Sequence, residues 1–403
     1  MLPHQWIILS LATAHAALSA FMPTDVHPHQ KRIKGRFLSH RRKQRPSRLA
    51  RELPADDQAD DGSHESTHHP ATMLGLVVGP PVQLRLAAVK SVAAADKMTA
   101  DVSTSKGEAV LSTGVVMSYL RTEPAVRDPR KPPLVFVHGS FHGAWCWAEH
   151  WMPYFSQLGY ECIAINLRGT SGTPVPASEE EIRSIKIERH VEDVADLLRK
   201  TVPDGNVVLI GHSFGSMTIL KLLEQGLVSP KGVALACSVP PSGNGPMTVR
   251  FILRSVVDAV QIVRGFVFKQ AMTSCALARQ LFFDSDMPEE KVEAYRKLFC
   301  LDGQIGLDVR SLSGSLPSRQ ALPSGRASWL DESLPRLVMG TRQDYIVDGQ
   351  GVEETARFLG TDAVMLDGVP HDVMLASGDR WRAGAEAIAE WLEGKVVARA
   401  PDR

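Results

Sequence analysis

Ser213 sits at the centre of the pentapeptide Gly211-His212-Ser213-Phe214-Gly215, directly after the apolar run 207–210. A buried strand that turns sharply into a helix holds such a hydroxyl out at the tip of the turn. The close backbone approach this needs calls for glycine two residues to either side. A serine so placed becomes a nucleophile once a general base reaches its hydroxyl. The strand, turn and helix arrangement takes its partners in chain order serine, acid, histidine. Of the fourteen histidines only His371 follows Ser213, so His371 is the expected base. Asp344, four residues past the apolar run 337–340, is the expected acid that fixes the imidazole tautomer and stabilises the imidazolium. Asp348 is the alternative, one turn further along.

These residues need a frame. From residue 106 onward short apolar runs alternate with amphipathic stretches, which predicts an α/β fold, a mostly parallel sheet with helices on both faces. Strands are expected at 115–120, 133–137, 162–166, 207–210, 233–239, 337–340 and 363–366. Helices are expected at 144–158 and 381–392, and Ile187, Val191, Val194 and Leu198 mark one face of another. Ligands of open α/β sheets bind beyond the carboxyl ends of the strands. One such end carries His138-Gly139-Ser140-Phe141-His142-Gly143-Ala144-Trp145; the other two carry Asp344 and His371. Phe141, Trp145 and His212 border this region and are the expected substrate contacts. His138 and His212 are also expected to hold backbone turns rather than move protons. Arg168-Gly169-Thr170-Ser171-Gly172 reads as a bend, since no helix opens after it to bind an anion.

The loop HGSFHGAWCW, the turn GHSFG and the late aspartate and histidine together resemble the α/β-hydrolase superfamily, covering about 115–397. The loop is most similar to that of the plant methylesterase and hydroxynitrile-lyase branch, whereas the surroundings of His371, PHDVML, look more like generic lipases and esterases. The resemblance implies an oxyanion hole made by the backbone N–H groups of Ser140 and Phe214, each such donor worth about 3 kcal/mol of barrier. It also implies a serine hydrolase that cleaves a carboxylic ester through an acyl-enzyme, with no cofactor and no metal. Thioesterase, carbon–carbon hydrolase, lyase and perhydrolase chemistry use the same arrangement, and a ligand receptor can keep it without turnover.

Residues 241–325 interrupt the α/β rhythm and are expected to form a mainly helical lid. Its run FILRSVVDAVQIVRGFVF, with Arg250, Arg254, Arg264 and Lys269 nearby, suggests either helices packed on the core or a greasy acyl-binding surface. The expected partner is therefore a small-molecule or lipid ester, with peripheral membrane contact through the lid and no nucleic acid. The domain reading is a core at 106–240 and 326–397 around that insertion, preceded by segments 1–20, 21–51 and 52–105.

The N-terminal region carries its own signals. Residues 6–14, WIILSLATA, have the length of a signal-peptide apolar segment and are too short to span a bilayer. Residues 1–51 hold ten Lys and Arg against one acid, Asp25. An Ala20-Phe21 junction followed by this basic stretch resembles a two-part plastid leader, with plastid import through the endomembrane system as the expectation and secretion as the alternative. The remaining chain is mildly acidic, which argues against a nucleic-acid surface. Residues 52–105 read as a solvated linker, and His64, His68 and His69 in it lack positioned partners for a metal. The five cysteines have no paired spacing and are expected as free thiols.

Overall fold

The computed structural model describes residues 103–173 and 184–399. The leader, the basic segment, most of the linker and its histidines lie outside the described residues.

Among the described residues the chain runs through β1 (Thr104–Val110), β2 (Val116–Thr122), β3 (Leu134–Val137), β4 (Cys162–Ile165), β5 (Ser184–Ile185), β6 (Val208–His212), β7 (Gly232–Ala236), β8 (Gly306–Leu307), β9 (Arg336–Thr341) and β10 (Ala363–Leu366). Eight of these strands form one sheet in the order β1-β2-β4-β3-β6-β7-β9-β10. Pairing is antiparallel through β1, β2 and β4, then parallel from β4 to β10. β3, β6 and β7 are buried at every position, as expected of parallel strands covered on both faces, which read as unbroken apolar runs rather than alternating ones.

The helices that position the site are α1 (Trp145–Ala148), α2 (Trp151–Gln157), α3 (Ile187–Thr201) and α4 (Phe214–Glu224). The stretch expected as one helix at 144–158 is two. Pro153 explains the interruption: it has no N–H, and in a continuous helix its ring would meet the carbonyl of Glu149 four residues back. In α3 the spaced Ile187, Val191, Val194 and Leu198 are all buried. The antiparallel strand β1 was not anticipated and begins at Thr104, two residues inside the expected linker.

Between β7 and β9 lie α5 (Asn244–Arg254), α6 (Val256–Phe266), α7 (Cys275–Phe282), α8 (Glu289–Asp302) and α9 (Val309–Gly314). The long apolar run splits at Ser255, whose extended backbone ends α5 and whose hydroxyl caps α6 by accepting from the N–H of Asp258 at 3.2 Å. Phe251 and Ala259 turn inward, while Leu253, Val256, Val257 and Phe268 stay exposed. The run therefore packs on the core along one face and leaves the other in solvent. Asp302, at the end of α8, fastens the insertion to the core: its carboxylate accepts from Trp145 Nε1 at 2.7 Å and from the N–H of Ser171 at 2.6 Å. α10 (Gly349–Phe358) packs on β9 and β10, and α11 (Arg382–Trp391) closes the fold against α2. No helix among the described residues is long and apolar enough to cross a membrane. All five cysteines are free, with Cys146, Cys162 and Cys237 buried.

Candidate active site

Ser213 stands between β6 and α4 with φ 51° and ψ −122°. For a residue with a Cβ this left-handed backbone costs energy, and such outliers gather at functional sites. Two close contacts flank it. A Cβ on Gly215 would sit 2.2 Å from the carbonyl oxygen of Val137, and one on Gly211 would sit 2.8 Å from Cα of Ser216. The pentapeptide is thus a steric solution for wedging a helix start against the end of β3. The N–H of Phe214, first residue of α4, makes no intrahelical bond because helix starts leave their donors free.

His371 follows β10, and its Nδ1 lies 2.8 Å from Asp344 Oδ2. The other oxygen of Asp344 accepts from the N–H groups of Ile346 and Val347 at 2.7 and 2.8 Å. Those bonds fix the carboxylate, and the carboxylate holds the proton on Nδ1, leaving Nε2 as the basic nitrogen. Burial works to lower the pKa of His371, but the charge and hydrogen bond of Asp344, joined by the charge of Asp372, outweigh it and hold it above the usual value. Asp348 is engaged elsewhere. It pairs with Arg250 through two contacts of 2.6 Å and caps α10 by accepting from the N–H of Gly351 at 3.0 Å. The geometry therefore gives the histidine to Asp344.

The other sequence candidates fall into two groups. Ser140 lies on the loop between β3 and α1, beside the elbow: a Cβ on Gly139 would come 2.8 Å from Cβ of Ser213. Phe141, with φ 68°, turns its ring onto the lid, where centroids of Phe266, Phe282 and Phe299 lie 5.3, 5.9 and 6.1 Å away. Phe282 in turn lies 6.1 Å, centroid to centroid, from His371, and Ser213 is only 4 % exposed. Trp145 is committed to Asp302 and stacks on His142, so it belongs to the lid fastening. His212 departs from its expected place at the substrate. Its ring is buried, and its Nε2 lies 3.0 Å from the carbonyl oxygen of His371, so it braces the His371 backbone from behind.

His138 is likewise a brace. Its Nδ1 meets the carbonyl of Gly139 at 2.8 Å and its Nε2 accepts from the N–H of Leu167 at 3.1 Å, while burial lowers its pKa to about 4. Arg168 turns inward to a buried ion pair with Asp193 at 2.7 Å, which removes any anion-binding role for that bend. His212, Cys237 and His371 bring nitrogen and sulfur atoms within 4.8 Å of one another. A metal there would have to compete for groups already in use, since His371 is bonded to Asp344, His212 to a carbonyl, and burial raises the pKa of the Cys237 thiol.

Sequence reasoning passed over His142, Asp372 and Asp302. The first two lie inside recognised stretches, yet their partners are distant in the chain.

Residues 134–385 match the alpha/beta hydrolase family. The chain belongs to that family. Within this alpha/beta hydrolase a stretch of 98 residues is 36 % identical to Methylesterase 1 of Arabidopsis thaliana, covering 24 % of this chain and 36 % of that protein. A stretch of 113 residues is 30 % identical to the probable esterase PIR7A of Oryza sativa subsp. indica, covering 27 % of this chain and 40 % of that protein. The chain thus spans well under half the length of these relatives. Among solved structures, 2-hydroxy-6-oxo-6-phenylhexa-2,4-dienoate hydrolase from Rhodococcus sp. strain RHA1 is similar with a TM-score of 0.52 at 19 % identity, covering 73 % of this chain and 100 % of that one. An esterase from Thermogutta terrifontis gives 0.51 at 19 % identity, covering 72 % and 99 %. These likenesses support the fold.

Proposed function

We propose that this alpha/beta hydrolase is a serine esterase that cleaves a carboxylic ester with a hydrophobic acyl portion through an acyl-enzyme. The observation that carries the reading is the strained turn presenting Ser213 together with the His371 and Asp344 pair. Ser213 Oγ attacks the ester carbonyl while His371 Nε2 takes its proton. The oxyanion that forms is met by the backbone N–H groups of Ser140 and Phe214. The protonated His371 then passes its proton to the leaving alcohol, the acyl group stays on Ser213, and water repeats the sequence to release the acid.

The cluster of Phe141, Phe266, Phe282 and Phe299, whose Phe282 ring reaches His371, supports an apolar acyl group. A buried methylene contributes about 0.8 kcal/mol. Across an acyl series from two to sixteen carbons, kcat/KM should therefore climb severalfold per added carbon pair until the pocket is full. A flat or falling profile would favour the second reading, a small methyl ester, which the likeness to the methylesterases supports.

The base also sets a pH dependence. His371 works only when neutral, and its pKa is held above the ordinary histidine value of about 6.5. Activity should fall as pH drops through that raised value, so the acid limb of kcat/KM is expected to have its midpoint above 6.5. A midpoint at or below it would contradict the pairing with Asp344.

A further inference from the structure

Beside the Ser213 site lies a second histidine and carboxylate pair, entirely buried. Asp372 directly follows His371 and is 0 % exposed. Its Oδ2 lies 2.9 Å from His142 Nε2, across 230 residues of chain. The N–H of Asp372 donates to the carbonyl of Phe282 at the end of α7 at 3.0 Å. His142 Nδ1 in turn lies 2.7 Å from the carbonyl oxygen of Ser140. A continuous bridge therefore runs from the Ser140 loop through His142 and Asp372 to the backbone of the base.

Hydrogen-bond accounting assigns the protons. A carbonyl oxygen only accepts, so His142 Nδ1 must carry hydrogen. Its Nε2 faces a carboxyl oxygen, and a bare lone pair against a carboxylate would be repulsive, so one further proton lies between Nε2 and Oδ2. The same logic gives His212 its proton on Nε2, where it donates to the carbonyl of His371. His212 Nδ1 and Asp372 Oδ1 are both left buried without a hydrogen-bond partner. Keeping an unpaired carboxylate oxygen in the interior is costly unless its charge is used. Asp372 Oδ1 lies 3.8 Å from His212 Nε2, on the side where His212 meets His371.

We propose that Asp372 and His142 are positioning residues for the esterase reaction: the pair locks the Ser140 loop to the base loop, and the carboxylate of Asp372 sustains the imidazolium that forms on His371. This rests on the serine-esterase reading. The titratable groups facing His371 are Asp344 after β9, Asp372 on its own turn, His212 at the end of β6 and Cys237 after β7, with His142 beyond Asp372. Among them Asp344 and Asp372 are the acids, and only Asp372 has a basic partner of its own.

The test uses the full chain and a fluorophosphonate probe, which needs no knowledge of the substrate. Asp372→Asn can still hydrogen-bond His142 Nε2 through its amide but no longer carries a carboxylate charge. Labelling of Ser213 should slow roughly tenfold to a hundredfold, and its acid limb should move down by about one pH unit. His142→Gln leaves the Asp372 charge without its partner and should move the acid limb the other way. With a p-nitrophenyl ester, kcat should drop in both variants with KM little changed. Thermal melting checks folding, and if one variant does not fold, the direction of the limb in the other decides. A labelling rate and acid limb unchanged from the native chain in a folded Asp372→Asn would overturn the proposal. Absence of labelling in the native chain would instead overturn the serine-esterase reading beneath it.

Discussion

Replacing Ser213 with alanine is expected to remove on the order of 10⁶ in kcat while the protein remains folded. The side chain is small, and the strain resides in its backbone at φ 51°, which alanine must adopt as serine does. Stability should therefore change little, and the loss should fall on chemistry alone. The measurement pairs turnover of a p-nitrophenyl ester with fluorophosphonate labelling. Labelling that persists in Ser213→Ala would place the nucleophile elsewhere. Residual activity above the uncatalysed rate is still expected, because the N–H groups of Ser140 and Phe214 and the binding surface remain.

The second large effect concerns the acid. Asp344→Asn should lower kcat about 10⁴-fold, because an amide can present its NH₂ to Nδ1 and favour the wrong tautomer of His371. The two backbone donors on Asp344, from Ile346 and Val347, can still be met by the amide oxygen, so folding should survive. Asp348→Asn offers the contrast. It weakens the ion pair with Arg250 and the α10 cap, and should cost roughly 1–2 kcal/mol of stability with little change in kcat. Measuring both variants by turnover and thermal melting separates the roles. A larger kcat loss in Asp348→Asn would transfer the acid to that residue.

Contiguous residues determined much of this protein. The run 207–210 followed by Gly211-His212-Ser213-Phe214-Gly215 encodes its turn locally, because the clashes that demand glycine lie within a few residues or against the neighbouring strand that any such sheet supplies. The central strands β3, β6 and β7 were legible for a similar reason, since burial on both faces writes itself as an unbroken apolar run, and His371 stood out because only one histidine follows the serine. The helix breaks ahead of Pro153 and at Ser255 also have local causes, although the periodicity of the surrounding apolar residues concealed them.

What only the tertiary structure decided is which distant groups meet. Asp344 and Asp348 are four residues apart and chemically alike, and the choice rests on Arg250 reaching one of them from the lid. His142 and Asp372 each sit within a recognised stretch, yet nothing in either neighbourhood specifies the other. Their contact follows from β3 and β10 ending on the same side of the sheet. The phenylalanine cluster and the Asp302 clasp arise in the same way, from where the inserted helices meet the core. Local sterics act between neighbours in sequence and can be read there, whereas these contacts depend on the sum of every packing interaction between them.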